Sequence, residues 1–216
     1  NSMVQVLDWA YDTTINGIPG QKTIQELADD YLKYDDVDTA ISKMIAFQTS
    51  KAALSGFVTG FGGILTLPVT IPANITSVIL VQMRMIATIA YMRGYDLKSD
   101  QVQTFVYAAL TGTSIAEITK KAGIVFAEKF AQGMIKKVPR EVLKKINHAV
   151  GFKLVTKFGE KGVVNLGKMI PVAGALIGAG VDGVSTQVIA NHALSIFTPN
   201  GINLGDDLII DMDEIQ

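Results

Sequence analysis

The chain has 216 residues and a formal net charge of −1, and it contains no cysteine. Its length suits one domain with a core large enough to need neither a disulfide nor a metal. A cysteine-free sequence has no disulfide framework, thiolate nucleophile or zinc–thiolate site, which is typical of a reducing compartment. The first residues lack the basic and apolar segments of a signal peptide, so we expect a cytoplasmic protein.

The small net charge conceals an uneven distribution of acidic and basic residues along the chain. Residues 1–50 hold eight acidic and three basic residues, a net charge of −5. Residues 120–168 hold twelve basic and three acidic residues, a net charge of +9, and the last sixteen residues carry five acids. Such asymmetry indicates either a charged binding surface or acidic and basic faces that cover one another in the fold.

Apolar residues recur at helical spacing, and strand-like alternation is scarce. The first half of the chain predicts an acidic amphipathic helix over 21–33 and a longer helix that begins after the Asp35–Asp36 cap. Pro68 and Pro72 then break the pattern, because proline lacks the amide donor that a helix interior needs. A new helix is predicted from Pro72 to Gly94.

The second half predicts a helix capped by Ser99–Asp100. A basic helical region follows over 113–158, restarted at Pro139, and a last apolar helix runs over 171–197. The acidic tail contains the apolar triplet 208–210, which leaves open an edge strand, a docked flap or disorder. The pattern predicts an all-α fold, a single compact helical domain around a central apolar helical hairpin, with an acidic C-terminal tail.

The central hairpin is marked by residues 52–83, which contain no charged side chain. A spanning helix needs about 20 apolar residues, whereas Pro68 interrupts the first arm and Arg84 lies within the second. A conventional spanning helix is therefore disfavoured. The hairpin is either buried core or a re-entrant membrane element, and the GxxxG spacings at Gly56–Gly60 and Gly174–Gly178 fit both.

Arg84 and Asp182 are the isolated charges of the two apolar helices. Because a buried charge must be paired, we expect them to meet or to share a polar cluster with Gln82 and Gln187. His192 is a further candidate for this cluster. The cluster would either fix the packing of the helices or form the polar floor of a pocket that binds a lipid headgroup.

Familiar catalytic and cofactor motifs are absent or out of place. Gly178, Gly180 and Gly183 spell the GxGxxG of dinucleotide sites, but they lie inside an apolar helical pattern with no strand before them. Neither the metalloprotease HExxH nor the serine-hydrolase GxSxG occurs. We therefore expect no cofactor and no bound metal, and we assign no catalytic residue.

The basic stretch is a candidate binding surface. Clustered lysines attract anionic lipid by about 1 kcal/mol each, or they simply form a solvated helix face. Its aromatic residues, Phe126 and Phe152 among them, stand at core-like spacing, and the pI is about 6.1, so nucleic acid is not an expected partner. The lysines expected to face acidic headgroups or an acidic protein partner are Lys120, Lys121, Lys129, Lys136, Lys137, Lys144, Lys145, Lys153 and Lys157.

Two long segments resemble the signature of the bacterial EcsC family. They are GGILTLPVTIPANITSVILVQMRMIATIAYMRGYDLKSDQVQTFVYAALTG and INHAVGFKLVTKFGEKGVVNLGKMIPVAGALIGAGVDGVSTQVIANHALSIF. The resemblance spans residues 36–198 and includes a proline-bounded helix followed by Arg-Gly-Tyr. The family, named from a gene beside an ABC-transporter pair, has no agreed biochemical activity. The resemblance therefore implies a bacterial origin and a link to membranes, without catalytic residues.

We divide the chain into an N-terminal acidic helical segment (1–35), an EcsC-like all-α domain (36–198) and an acidic tail (199–216). We expect a non-enzymatic protein at the inner face of the bacterial membrane, which binds an anionic lipid surface or an amphiphile and assists transport or secretion. Two alternatives stay open. One is a hydrolase of lipids or peptides with a polar centre near Arg84 and Asp182, and the other is a soluble protein–protein adaptor.

Overall fold

The computed structural model describes residues 2–50, 73–126, 137–158, 183–205 and 208–215. The helices among them are α1 (Ser2–Asn16), α2 (Ile24–Leu32), α3 (Val37–Gln48), α4 (Ala73–Met92), α5 (Asp100–Leu110), α6 (Ile115–Ala122), α7 (Arg140–Phe158) and α8 (Gly183–Ile196). Two short strands, β1 (Gly201–Asn203) and β2 (Ile209–Asp211), precede a 3-10 turn over Met212–Glu214. The predicted all-α class is confirmed.

Helix α4 is the centre of the fold. Every residue from Val78 to Ala90 is buried. A helix buried around its whole circumference must be covered by other elements on all sides, and α1, α2, α3, α5 and α8 pack against it. The second arm of the predicted hairpin therefore lies in the core, whereas residues 51–72, which hold the first arm, lie outside the described residues.

The sequence predicts segment 1–35 to be helical but places only the helix over 21–33 within it, so α1 is an additional helix of that segment. Its Leu7, Ala10 and Tyr11 are buried, and the helix packs on α4 and α7. These three positions lie on one helical face, because i, i+3 and i+4 are neighbours on a helix surface. Tyr11 Oη also donates a hydrogen bond of 2.5 Å to the carbonyl of Leu97. The acidic N-terminal segment thus contributes to the same core as the later helices.

Helix boundaries follow the predicted signals closely. Asp36 caps α3 by accepting a hydrogen bond of 2.9 Å from the Thr39 amide. Gly94 follows α4 with a φ of 91°, a left-handed conformation that suits the end of a helix. Ser99 stands at the start of α5 but does not cap it. Its hydroxyl instead donates a hydrogen bond of 3.1 Å to the carbonyl of Ile215, near the C-terminus.

The C-terminal tail is a docked β-hairpin, one of the three outcomes that the sequence leaves open. Strands β1 and β2 pair antiparallel, with Ile202 opposite Ile210. Arg93 Nη1 and Tyr95 Oη donate hydrogen bonds of 2.9 and 2.5 Å to the carbonyls of residues 197–198, which lead into the hairpin. The end of α4 therefore holds the start of the tail in place.

Candidate functional site

Helix α6 presents two lysines at its carboxyl end. Ser114 caps its start by accepting a hydrogen bond of 3.2 Å from the Glu117 amide. Gly123, with a φ of 72°, ends the helix in the left-handed conformation. Lys120 and Lys121 thus occupy the last turn, where the helix dipole stabilises positive charge. Both lysine side chains are exposed.

Helix α7 packs one apolar face on the core and turns the other face outward. Gln101 fixes the chain just before it, because its side-chain amide exchanges hydrogen bonds of 2.8 and 3.1 Å with the backbone of Val138. The helix then packs on α1, α5 and α6. Its buried residues follow at helical spacing: Val142, Leu143, Ile146, Val150 and Leu154.

A groove of about 590 Å³ lies between α6 and α7, and we name it the α6–α7 groove. Lys121 Nζ lies 4.2 Å from the centroid of the Phe152 ring, and Phe152 is 56% exposed. A cation and an aromatic ring therefore face the same open space. The lining residues are Lys121, Ala122, Lys144, Lys145, His148, Ala149 and Phe152.

The lysines of the α6–α7 groove form no ion pair within the part of the chain that the structure describes. None of the lining residues is acidic. No described carboxylate lies within 4.0 Å of the ammonium groups of Lys121, Lys144 or Lys145. Lys153 differs, because its Nζ lies 3.1 Å from a carboxylate oxygen of Glu117 on α6. The groove thus brings together three lysines that form no ion pair with a described residue, although Lys144 also lines a second cleft with Asp8 and Asp100.

The structure describes some of the remaining predicted lysines but not all of them. Lys120, Lys137 and Lys157 are exposed, as are the groove lysines on α7. Lys129 and Lys136 lie outside the described residues. Lys157 differs from the other exposed lysines, because burial lowers the pKa of its ammonium.

Phe152 corrects one expectation about the aromatic residues. Core-like spacing predicts that they are buried, and Phe126 is indeed 5% exposed, but Phe152 is 56% exposed. Phe152 lies two residues from both Val150 and Leu154, which are buried. Two residues correspond to about 200° around a helix, so Phe152 falls on the opposite side. The spacing of the buried residues along α7 is the sequence signal that could have predicted the exposure of Phe152.

Arg84 is held in the interior by the chain that leads into α2. It is 6% exposed, and its Nη2 donates a hydrogen bond of 2.7 Å to the carbonyl of Lys22. Burial lowers the pKa of the guanidinium. Gln82 is also buried, and its Oε1 has no hydrogen-bond partner among the described residues. Asp182 lies outside the described residues, so the Arg84–Asp182 pair stays a prediction.

The two candidates on α8 occupy more open positions. Gln187 is exposed and donates a hydrogen bond of 3.0 Å to Asn191 Oδ1 on the same helix. His192 is half-buried. No hydrogen bond between described residues joins either side chain to Gln82 or Arg84. The described residues therefore show no hydrogen bond among these candidates, and the polar cluster stays a prediction.

A second, smaller cleft of about 220 Å³ adjoins α1, α5 and α7. Tyr107 Oη donates a hydrogen bond of 2.7 Å to Asp8 Oδ1 and accepts one of 2.6 Å from Gln103 Nε2. Burial and the bond to Asp8 raise the pKa of the Tyr107 phenol. Arg140 and Lys144 line the same cleft. The tyrosine and its partners satisfy one another, so this network fastens α1 to α5.

The described ranges contain neither a membrane-spanning helix nor a cluster of metal ligands. No helix within them combines the length and the apolar character that crossing a bilayer requires. Within the same ranges, no three His, Asp or Glu side chains gather closely enough to hold a metal ion. Neither finding bears on the residues outside those ranges.

The family of the chain follows from a match over most of its length. No curated protein and no solved structure matches the chain. The family model of the EcsC protein family matches residues 3–198. The match begins within α1, earlier than residue 36, where the predicted EcsC-like domain begins. The chain therefore belongs to the EcsC protein family.

Proposed function

We propose that the protein docks peripherally on anionic membrane surfaces through the exposed sides of α6 and α7. The observation that carries the proposal is the exposed Phe152 ring, which stands among the lysines of the α6–α7 groove with Lys121 Nζ 4.2 Å from its centroid. Basic residues beside exposed apolar ones are typical of surfaces that lie at a membrane interface. The lysines contact phosphates, and the ring enters the boundary between headgroups and acyl chains.

Electrostatic attraction supplies the first part of the binding free energy. A lysine near an anionic surface contributes about 1 kcal/mol, so Lys120, Lys121, Lys144 and Lys145 together contribute about 4 kcal/mol. The attraction decays over a Debye length of about 8 Å at physiological salt. Docking is therefore stronger at low salt and absent on neutral lipid.

Exposed apolar side chains supply the second part. Val125, Phe152 and Val155 are 53%, 56% and 44% exposed. Full burial of one such side chain is worth about 1.5–3 kcal/mol, so even partial insertion strengthens binding. This contribution does not weaken with salt. Insertion into the membrane interface also explains why Phe152 stays exposed beside cations.

The proposal places the protein in the bacterial cytoplasm, at the inner face of the membrane. Anionic headgroups there attract polybasic segments of proteins. An acidic protein partner would use the same lysines, but it would leave lipid vesicles unbound. Vesicle binding therefore separates the membrane proposal from a soluble adaptor.

The test is flotation of the purified chain with phosphatidylcholine vesicles, with and without phosphatidylglycerol, at low and high salt. We expect flotation only with the anionic vesicles and a decrease as salt rises. The double variant Lys144→Gln/Lys145→Gln should bind about thirtyfold more weakly, because two lysines contribute about 2 kcal/mol. Flotation with neutral vesicles, or none at low salt, would contradict the proposal, and the second outcome would favour the adaptor.

A matched control comes from Lys33, whose Nζ lies 5.5 Å from the ring centroid of Tyr34. This pair combines an exposed lysine with an exposed aromatic ring, like Lys121 and Phe152, but it lies between α2 and α3, in the acidic part of the chain. Lys33→Gln should leave flotation unchanged. A loss of binding free energy in Lys33→Gln equal to half that of the double variant would show that net charge alone governs binding.

A further inference from the structure

The α6–α7 groove is an open depression between two helices rather than an enclosed cavity. Its volume of about 590 Å³ lies in the range of small-molecule sites, about 300–1,000 Å³. Its ammonium groups come from two elements, with Lys121 on α6 and Lys144 and Lys145 on α7. Because lysines of both helices line it, the groove can contact one headgroup from two sides. We infer that this groove binds the phosphomonoester headgroup of a single anionic lipid, an inference that rests on the proposed function and narrows its ligand.

Phe152 holds one of the ammonium groups at the groove. Lys121 Nζ lies 4.2 Å from the ring centroid, within the range of a cation–π contact. Because the ring itself lines the groove, this contact keeps the ammonium there instead of letting it extend into solvent. A group that is already positioned loses less conformational entropy when it binds an anion. Lys153, in contrast, is engaged by Glu117 at 3.1 Å and does not line the groove.

The donors around the groove suit a doubly charged phosphate. A phosphomonoester carries about −1.5 to −2 charge at pH 7 and three strong acceptor oxygens, whereas a phosphodiester carries a single charge. Three lysine ammonium groups line the space, and the His148 imidazole adds a ring N–H donor. No described lining residue is acidic. The same set of cations therefore stabilises a bound dianion more than a bound monoanion.

Part of the groove lining is apolar, which indicates a lipid rather than a soluble phosphate ester. Ala122 on α6 and Ala149 and Phe152 on α7 form this apolar part of the lining. A soluble ester would leave these side chains in water, whereas the glycerol backbone and first acyl carbons of a lipid would cover them. Removing apolar surface from water stabilises the complex in proportion to the area covered. A phosphate group and apolar carbons together are features of a lipid, so we expect the ligand to be in a membrane.

The experiment measures binding of the full chain to phosphatidylcholine vesicles that contain either phosphatidic acid or phosphatidylglycerol, adjusted to the same surface potential. We expect about tenfold tighter binding to phosphatidic acid, because hydrogen bonds to the second charge discriminate between the headgroups. Lys121→Gln should bring the ratio of the two affinities close to one. Lys33→Gln removes the same charge far along the chain from the groove residues and should leave the ratio unchanged.

The outcomes separate the inference from the proposed function. Equal binding to both anionic vesicles would overturn the headgroup inference and leave membrane docking intact, whereas no binding to either would overturn both. Calorimetry with soluble glycerol phosphate tests the source of the phosphate. Binding as tight as that to phosphatidic acid vesicles would overturn the assignment to lipid. An unchanged melting temperature of Lys121→Gln, whose side chain is exposed, confirms that the variant is folded.

Discussion

The ammonium of Lys121 and the ring of Phe152, on helices α6 and α7, meet across the groove with 4.2 Å between nitrogen and ring centroid. Lys33 and Tyr34 form a similar pair at 5.5 Å. The surroundings differ, because further lysines line the groove of the first pair, whereas Asp35–Asp36 follow the second in the chain. A cation beside an exposed ring is therefore not special by itself, and the basic groove distinguishes the first pair.

Replacing Phe152 by alanine should weaken binding to anionic vesicles about tenfold, since partial burial of a phenylalanine contributes on the order of 1.4 kcal/mol. The melting temperature should barely change, because the side chain is 56% exposed. Vesicle titration and thermal unfolding measure the two effects. Phe47→Ala is the matched control, because Phe47 is 54% exposed on α3. Equal losses in both variants would contradict a specific role for the groove.

Arg84→Ala should lower the free energy of unfolding by about 3 kcal/mol, because it removes a buried, charged hydrogen-bond donor and leaves space behind. The lost contacts include the 2.7 Å bond from Nη2 to the carbonyl of Lys22, which joins α4 to the start of α2. Chemical denaturation measures the change. Arg140→Ala, at an exposed position, should alter stability by less than about 0.5 kcal/mol. An unchanged denaturation midpoint in Arg84→Ala would refute the structural role of the guanidinium.

The helices that local signals mark clearly were predicted from the sequence. Pro72 and Gly94 bound α4, and Asp36 caps α3, because these residues restrict or satisfy the backbone within one helical turn. Helix α1 was not placed individually within the predicted helical segment 1–35. Its apolar positions Leu7 and Tyr11 gain their partners from distant parts of the chain, such as the Leu97 carbonyl. Short local patterns do not contain that information.

The candidate site was predicted only in part, for a similar reason. The basic character of Lys121, Lys144 and Lys145 is evident from composition along the chain. The groove itself arises from the packing of α6 on α7, which are separated in sequence. His148 and Phe152 belong to it only through that packing. The sequence therefore specifies the charge of the surface, while the tertiary structure specifies its shape.

Tyr107→Phe should destabilise the protein by about 1–1.5 kcal/mol, the net value of a typical buried hydrogen bond. The phenol donates to Asp8 Oδ1 at 2.7 Å and accepts from Gln103 Nε2 at 2.6 Å, so it joins α1 to α5. A double-mutant cycle with Asp8→Ala should show a coupling energy of at least about 0.5 kcal/mol. Tyr34→Phe, at a position 80% exposed, should have no effect. Strictly additive changes would show that the hydrogen bond contributes nothing.

Asp36→Ala should show a pH-dependent loss of stability. Hydrogen bonds from the backbone amide and the hydroxyl of Thr39 hold the pKa of the Asp36 carboxyl below its usual value of 3.8. Because the pKa is lower in the folded state than in the unfolded state, the ionised cap stabilises the protein above pH 3.8. This stabilisation is lost as pH falls through the folded-state pKa. The difference in melting temperature from wild type should therefore be larger at about pH 6 than at about pH 2.5.

Thr23→Ala provides the control for this titration. Thr23 caps α2 by accepting a hydrogen bond of 3.1 Å from the Glu26 amide, as Asp36 caps α3. A hydroxyl does not titrate in this range, so the loss of melting temperature in Thr23→Ala should be the same at both pH values. If both variants lost their effect in parallel on acidification, general acid unfolding would explain the result. A loss confined to Asp36→Ala assigns the pH dependence to the charge of the cap.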